Sequence, residues 1–279
     1  MEHASDLRGA VPSRLLVLTI GVLMTAGVST QSQIVNAQLT SRQATRGLDA
    51  EIQSAAGQSG PMWIAYRVAT VRGPQHMCSS GNRTAAKVML EPATELTILV
   101  RLESGRIERL QTATPDCEVD AGGLPVVWLD GITPSQSAAW LTAQIKAEPP
   151  GQRDSKIVSS ALGALIWHPG DAPIDTVVAL ARDDRRPRVR SQALFWLSQR
   201  AGRQAVDTIR NAVENDPETE VKRKAVFALS QLPKDEGVPL LIEIARNNGN
   251  REVRRQAMFW LGQSNDPRAV SFFEQVLKP

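Results

Sequence analysis

Apolar residues recur at helical spacing through the C-terminal half of the chain, and the pattern repeats every 32 residues. An apolar stripe at positions i, i+4 and i+8 forms one face of an amphipathic helix, and a small residue at its centre predicts close helix packing. The three columns of the stripe are Ile157, Val189, Val221 and Val253; Ala161, Ala193, Ala225 and Ala257; and Leu165, Leu197, Leu229 and Leu261.

A second apolar stripe follows in each 32-residue unit. Its columns are Ile174, Val206, Val238 and Val270, then Val177, Ile209, Leu241 and Phe273. Units that cannot bury their apolar faces alone do so by stacking on their neighbours. Residues 155–279 are therefore predicted to form an α-solenoid of four two-helix repeats.

The apolar period changes between residues 60 and 146, where it is typical of strands. We expect strands at 62–68, 85–90, 94–102, 106–112 and 125–129, with a hairpin turn at Ser104-Gly105. Thr133, Pro134 and Gln136 form a capping-box pattern that predicts a helix start. The expected structure is a small, mostly antiparallel β domain with one helix, so the whole chain falls in the α+β class.

The N-terminus has the pattern of an export signal. Two arginines precede an apolar run over residues 15–28, which is short for a membrane-spanning helix. Small or apolar residues at 35–37 suit a signal peptidase, so residues 1–37 are predicted to be removed before Gln38. An uncleaved anchor is the alternative, and both place the folded part in the periplasm or outside the cell.

Two polar segments separate these regions. Residues 38–59 are interpreted as a polar linker with one or two helical turns near Ile52, and residues 147–154 as the linker to the repeats.

The chain has two cysteines, Cys78 and Cys117. In an oxidising compartment such a pair favours a disulfide. This bond would close a loop of about 40 residues and contribute roughly 4 kcal/mol as an upper figure. A reactive Cys78 beside His76 is the competing interpretation.

The repeat columns resemble a known family. Val189-Arg190 with Ala193 and Leu197, and the equivalent residues of the next two units, resemble the first helix of HEAT repeats, most closely the short bacterial kind found in phycobilisome lyases. Asp184 and Asp216 match the Asp that precedes this motif, and Asn248 substitutes in the last unit. Segments 60–66 and 122–129 resemble a module of exported bacterial HEAT-repeat proteins, which implies no chemistry.

Basic residues gather at the start of each first helix. They form a candidate ridge for an acidic partner or a phosphate backbone: Arg186, Arg188, Arg223 and Arg255. The competing interpretation applies to another column, in which basic residues pair with Asp184, Asp216 or other acceptors of adjoining units: Arg190, Lys222 and Arg254. The net charge of +3 is too small to indicate a polyanionic partner by itself.

Aromatic residues recur at the repeat spacing. Phe195, Phe227 and Phe259 are expected in the core. Trp196 and Trp260, one residue round the helix, are expected to pack between repeats or to provide an exposed grip for a ligand.

Catalytic and metal-binding patterns are scarce in this sequence. Its three histidines, His3, His76 and His168, form no paired metal motif, and it has no phosphate-binding Gly loop or nucleophile elbow. We therefore predict a non-enzyme with no metal and no cofactor.

The leading functional hypothesis is an exported scaffold that binds a protein partner. Second helices usually line the concave face of such a solenoid. The candidate contacts are Asp207, Arg210, Asn211, Glu243 and Arg246. The repeat type also allows a bilin lyase or isomerase, and the Arg/Lys ridge allows nucleic-acid binding. Both alternatives belong in the cytoplasm, which the signal segment disfavours.

Overall fold

The computed structural model describes residues 34–71, 78, 83–84, 92–148, 156–200 and 202–278. The apolar run of the export signal, His76, the strand expected at 85–90 and most of the 147–154 linker lie outside these residues. No helix in the described ranges is long and apolar enough to cross a membrane.

The N-terminal part is built mainly from strands. Its elements are β1 (Ile34–Val35), β2 (Gln38–Gln43), α1 (Leu48–Ala56), β3 (Met62–Ala69), β4 (Arg83–Thr84), β5 (Glu95–Glu103), β6 (Arg106–Ala113), β7 (Cys117–Asp120), β8 (Pro125–Asp130) and α2 (Pro134–Ala147). The predicted hairpin joins β5 to β6, and the Ser104-Gly105 turn has φ values of 51° and 76°. Thr133 caps α2, and the capping box with Gln136 is present.

The main sheet is mixed, which corrects the expectation of a mostly antiparallel domain. Its order is β2-β8-β3-β5-β6, in which β2–β8 and β8–β3 are parallel and the other pairs antiparallel. The error came from β2, which was interpreted as linker because its sequence is polar; in the structure five of its six residues are exposed. An exposed edge strand is held by backbone hydrogen bonds and leaves little hydrophobic pattern in the sequence.

A smaller sheet, β1-β7-β4, lies beside the first. The disulfide joins Cys117, in strand β7 of this sheet, to Cys78, which precedes β4 in the chain. The two Cα atoms are 5.5 Å apart. This bond confirms the predicted pairing. Strand β1 lies before the expected cleavage point, and its Ile34 is buried at 8% exposure.

Eight helices follow and form four two-helix units. They are α3 (Lys156–Leu165), α4 (Asp171–Asp183), α5 (Pro187–Ser198), α6 (Arg203–Asn215), α7 (Thr219–Ser230), α8 (Lys234–Asn247), α9 (Arg251–Gln263) and α10 (Pro267–Leu277). The predicted solenoid is confirmed. The central alanine of every first helix is fully buried, which explains why the first helices stack closely: Ala161, Ala193, Ala225 and Ala257.

The sheet and the repeats share a continuous hydrophobic core. One face of the main sheet packs on α1 and α2, and α2 packs on α3. The Val71 amide also donates to the Trp167 carbonyl at 3.0 Å, which ties the end of β3 to the α3–α4 turn.

Candidate partner-binding surface

The outward side chains of the second helices form one polar surface, here called the second-helix face. On α6 and α8 it carries the five candidate contact residues, of which all but the half-buried Arg210 are exposed: Asp207, Arg210, Asn211, Glu243 and Arg246. They project outward because their helices bury the opposite stripe, including Ile209 and Leu241. The repeat pattern thus places these residues together.

Polar contacts cross this face from each second helix to the next. Gln204 Nε2 on α6 donates to Asp175 Oδ1 on α4 at 2.9 Å. Arg210 reaches Glu243 on α8 at 3.4 Å. Arg246 on α8 donates to Gln275 Oε1 on α10 at 2.5 Å. These contacts link the side chains of each second helix to those of the next.

Two of the candidate contacts, Arg246 and Asn211, each make a further contact. Arg246 also places its guanidinium 5.4 Å from the centre of the Phe272 ring, a cation–π geometry that restrains it further. Asn211 accepts a hydrogen bond from Asn215 Nδ2 at 2.8 Å within α6. Both side chains remain exposed to a partner.

A cleft of about 400 Å³ opens between α6 and α8. Its lining includes Arg210 and Glu243, together with Lys222 from α7 and Asn248 from the loop before α9.

The column of basic residues that was expected to link repeats does so at Arg190. Its guanidinium binds both carboxylate oxygens of Asp216, at 2.7 and 2.9 Å, and also donates to the Asp184 carbonyl at 2.8 Å. Hydrogen bonding to Asp216 raises the pKa of Arg190. This residue stabilises the stack and is not available to a ligand.

Two residues of the candidate basic ridge face carboxylates. Arg223 pairs with Glu220 at 3.0 Å and Arg255 with Glu252 at 2.5 Å, both one helical turn away. Arg188 is half-buried.

The remaining ridge residue, Arg186, connects the repeats to α2. It binds Asp184 and donates to the carbonyls of Ile145 and Glu148 at 3.0 and 2.9 Å. Burial raises the pKa of Asp184, but hydrogen bonds from Arg186 outweigh it and lower that pKa overall. Positive charge beside the C-terminal carbonyls of α2 is favourable. The sequence could not show this role because the carbonyls lie about 40 residues away.

Family models confirm what these helices are. Residues 174–257 match a model described as HEAT repeats, and residues 253–278 match one described as the PBS lyase HEAT-like repeat. The C-terminal half is a HEAT-repeat domain.

Comparison with solved structures gives a distant similarity. No curated protein matches the chain. Among solved structures, the chain is similar to one titled as the complex of CpcE and CpcF of phycocyanin lyase from Nostoc sp. PCC7120. The match is 17% identical, covers 51% of this chain and 89% of that chain, and has a TM-score of 0.38.

Aromatic rings form a ladder along the first helices of the HEAT domain. Phe195 and Phe227 stack with centroids 6.0 Å apart, and Trp260 lies 4.9 Å from Phe227. Trp196 packs on Gly163, as the inter-repeat interpretation predicted. The expected core positions are wrong for all three phenylalanines: Phe195 and Phe227 are half-buried, and Phe259 is 54% exposed because no further first helix packs on α9 among the described residues.

A buried polar chain connects the sheet to the HEAT domain. His168 Nδ1 lies 2.9 Å from the Ala164 carbonyl, and its Nε2 lies 2.9 Å from Ser137 Oγ, which lies 3.0 Å from the Tyr66 hydroxyl. A carbonyl only accepts, so Nδ1 donates and Nε2 accepts from Ser137, which accepts from Tyr66. All three side chains are fully buried, so this Ser–His pair is closed to a substrate.

A second cavity, about 710 Å³, lies between α2 and α4. Its lining is largely apolar, and its Thr142 and Thr176 hydroxyls donate to carbonyls of their own helices, each at 2.8 Å. Across the described residues, no group of three His, Cys, Asp or Glu side chains is placed to hold a metal ion.

Proposed function

We propose that this chain is an exported, non-catalytic scaffold that holds a protein partner on its second-helix face. HEAT repeats suit this role because stacking produces an extended surface from short units. The observation that carries the proposal is the series of contacts that join four successive second helices, from α4 to α10, through Gln204, Arg210 and Arg246.

Those contacts favour binding for an entropic reason. Immobilising a long side chain at an interface costs about 0.5–1.5 kcal/mol. Arg246 is already restrained by Gln275 and by the Phe272 ring, so a partner would meet a guanidinium that has lost part of its freedom.

Export is supported by the disulfide. Such bonds persist in oxidising compartments and are rare in the cytosol. Together with the N-terminal signal pattern, the Cys78–Cys117 bond favours a periplasmic or extracellular location.

Site-specific photo-crosslinking in intact cells tests the proposed face. A photoreactive residue in place of Asp207 should crosslink to a discrete protein partner, because this position is exposed on the second helix α6. The matched position is Lys224, which is also exposed but lies on the first helix α7. Equal yields of the same crosslinked species from both positions would show that the face is wrongly assigned.

Paired substitutions give a second measure. Arg210→Ala together with Arg246→Ala should lower the crosslinking yield from position 207 by about tenfold, which corresponds to roughly 1.4 kcal/mol. Arg223→Ala with Arg255→Ala removes the same charge from the first helices and should leave the yield unchanged.

The two alternatives have weaker support. Two ridge arginines pair with exposed glutamates and Arg186 is engaged by Asp184 and by α2, so the positive surface for a nucleic acid is reduced. Strong, salt-sensitive retention on DNA would favour that alternative. The bilin-lyase alternative rests on repeat type alone, and a purified chain coloured by bound tetrapyrrole would favour it.

A further inference from the structure

The ion pair between Arg190 and Asp216 defines how two HEAT repeats are linked at this level of the stack. Asp216 Oδ1 accepts from the Glu218 amide at 2.9 Å, and both carboxylate oxygens accept from Arg190. One repeat further along, the equivalent positions hold Lys222 and Asn248. The carboxylate has become an amide.

This substitution replaces a charged acceptor with a neutral amide, which has one acceptor atom and one donor atom. Asn248 Oδ1 accepts from the Asn250 amide at 2.9 Å, in the same turn that Asp216 forms. The other polar atom of Asn248 is its amide nitrogen, which only donates, and the Lys222 ammonium has three donors and no acceptor. Among the described residues, Lys222 and Asn248 form no hydrogen bond with each other, and the neutral Asn248 amide cannot act as a counter-ion for the Lys222 ammonium.

Lys222 donates to a backbone carbonyl in place of the missing carboxylate. Its Nζ donates to the Glu214 carbonyl at 2.7 Å, and it forms no ion pair with any residue that the structure describes. A carbonyl dipole neutralises less of an ammonium charge than a carboxylate does. Within the described residues, the Lys222 ammonium thus lacks the carboxylate counter-ion that Arg190 has one repeat earlier.

The cleft of about 400 Å³ between α6 and α8 lies at this position. Its charged lining residues are Arg210, Glu214, Lys222 and Glu243. Arg210 and Glu243 pair with each other, and Glu214 contributes its backbone oxygen to Lys222. Apolar side chains complete the lining: Val213, Leu240 and Ile244.

We propose that this cleft binds the side-chain carboxylate of an Asp or Glu on the protein partner. The carboxylate accepts hydrogen bonds from the Lys222 ammonium and the Asn248 amide nitrogen, and so serves Lys222 as Asp216 serves Arg190 one repeat earlier. The apolar lining accommodates the methylene groups that carry it. This inference rests on the proposed function, since it specifies which partner chemistry the second-helix face recognises.

Nuclear magnetic resonance with a defined probe tests the cleft directly. The probe is the tripeptide Ala-Glu-Ala, acetylated and amidated at its ends, and the control peptide is Ala-Gln-Ala. At constant ionic strength the Glu peptide should shift the backbone amide signals of Gly249 and Asn250 saturably, with a Kd of about 1–10 mM, as expected for a few charge-assisted contacts. The Gln peptide should not.

Asn248→Asp is the decisive variant because it supplies the missing carboxylate from within the chain. It should pair with Lys222 and weaken binding of the Glu peptide by about tenfold or more. Asn215→Asp makes the same chemical change on α6 outside the cleft lining and should bind like the parent protein. Unchanged binding by Asn248→Asp would overturn the proposal.

Other ligands distinguish the chemistry. An equal response to the Gln peptide, or tighter binding of inorganic phosphate than of the Glu peptide, contradicts a carboxylate site. Tighter binding of a peptide whose only carboxylate is its free C-terminus contradicts a side-chain source.

Crosslinking from position 207 separates this inference from the proposed function. Undiminished crosslinking in Asn248→Asp, without saturable binding of the Glu peptide, overturns the cleft assignment and leaves the partner-binding face intact. Saturable peptide binding that Asn248→Asp abolishes supports the cleft, even where crosslinking shows no dependence on the face and the proposed function fails.

Discussion

The Arg190–Asp216 pair is the most deeply buried ion pair among the repeats. Their side chains are 7% and 4% exposed, and the carboxylate also accepts a hydrogen bond from the Glu218 amide. Burying two charges is costly, so such a pair persists only when its geometry satisfies both partners. Its bidentate contact meets that condition.

Arg190→Ala should destabilise the chain by about 3–5 kcal/mol, because it leaves Asp216 buried without its counter-ion. Urea denaturation measures the change in the free energy of unfolding. Arg223→Ala removes a guanidinium whose pairing with Glu220 is exposed, and should cost no more than about 1 kcal/mol. Equal costs for the two variants would show that burial of Asp216 is unimportant.

The buried His168 gives stability a dependence on pH. Burial lowers its pKa below the unfolded value of 6.5, partly opposed by the hydrogen bond to Ala164. The unfolded state therefore binds more protons than the folded state. Stability from this residue is complete above pH 6.5 and is lost as the pH falls towards the folded pKa.

His168→Gln should remove that dependence between pH 6.5 and about 5, where carboxylates with lowered pKa values remain ionised. Denaturation at a series of pH values compares the two proteins. The parent should lose stability over this window, and the variant should lose less. Parallel profiles would contradict a neutral His168 in the folded state.

Among single residues, the sequence predicted the contacts that lie within the repeat period. Arg190 was expected to meet an acidic residue of a neighbouring unit because the two columns recur together. Arg186 was assigned to the exposed ridge, since the carbonyls of Ile145 and Glu148 that it binds leave no mark in the sequence. The sequence shows that Asn248 replaces an Asp, but the consequence of this replacement depends on the geometry of the cleft.

Packing between first helices depends on small residues at fixed positions. A Cβ at Gly163 would lie 2.6 Å from the Trp196 ring, which α5 places against α3. Gly262, near the end of α9, has no heavy atom within 4 Å of the equivalent point. A methyl group would therefore clash with a neighbouring ring at position 163 and would meet open space at position 262.

Gly163→Ala should destabilise the chain by about 1–3 kcal/mol, because the added methyl group forces the indole away from α3. Gly262→Ala should stabilise it by up to about 1 kcal/mol through helix propensity and a restricted unfolded state. Thermal denaturation of the two variants gives the signs. A stabilising Gly163→Ala would show that Trp196 moves freely.

Elements with a strong apolar period were predicted closely, and weakly patterned ones were not. The helices and the β5–β6 hairpin followed from spacing and turn residues. Strand β2 was missed because it is exposed and depends on pairing with β8, 87 residues later at Gln38 and Pro125. Pairing between residues so far apart in the sequence is a property of the folded sheet.

At the scale of the whole molecule, the N-terminal residues matter more than their sequence suggests. Ile34 pairs with Val119, and the Val35 and Asn36 carbonyls accept hydrogen bonds from Ala121 and Gly123 at 3.0 and 2.7 Å. Cleavage before Gln38 would remove all of these contacts.

A chain that begins at residue 32 should be more stable than one that begins at residue 38 by about 1–3 kcal/mol, mainly from burial of Ile34. Urea denaturation of the two chains tests this. Sequencing the N-terminus of the protein recovered from cells then shows which form exists. Equal stabilities would mean that β1 contributes nothing to the fold.

The sequence by itself determined the HEAT repeats, the disulfide and the residues that share the second-helix face, because each depends on local periodicity or on residue type. Only the tertiary structure decided that the sheet is mixed, that Arg186 binds α2 and that a cleft opens beside Lys222 and Asn248. Those features depend on contacts between distant segments. The distances between such segments are set by how whole helices and strands pack, which a one-dimensional pattern does not specify.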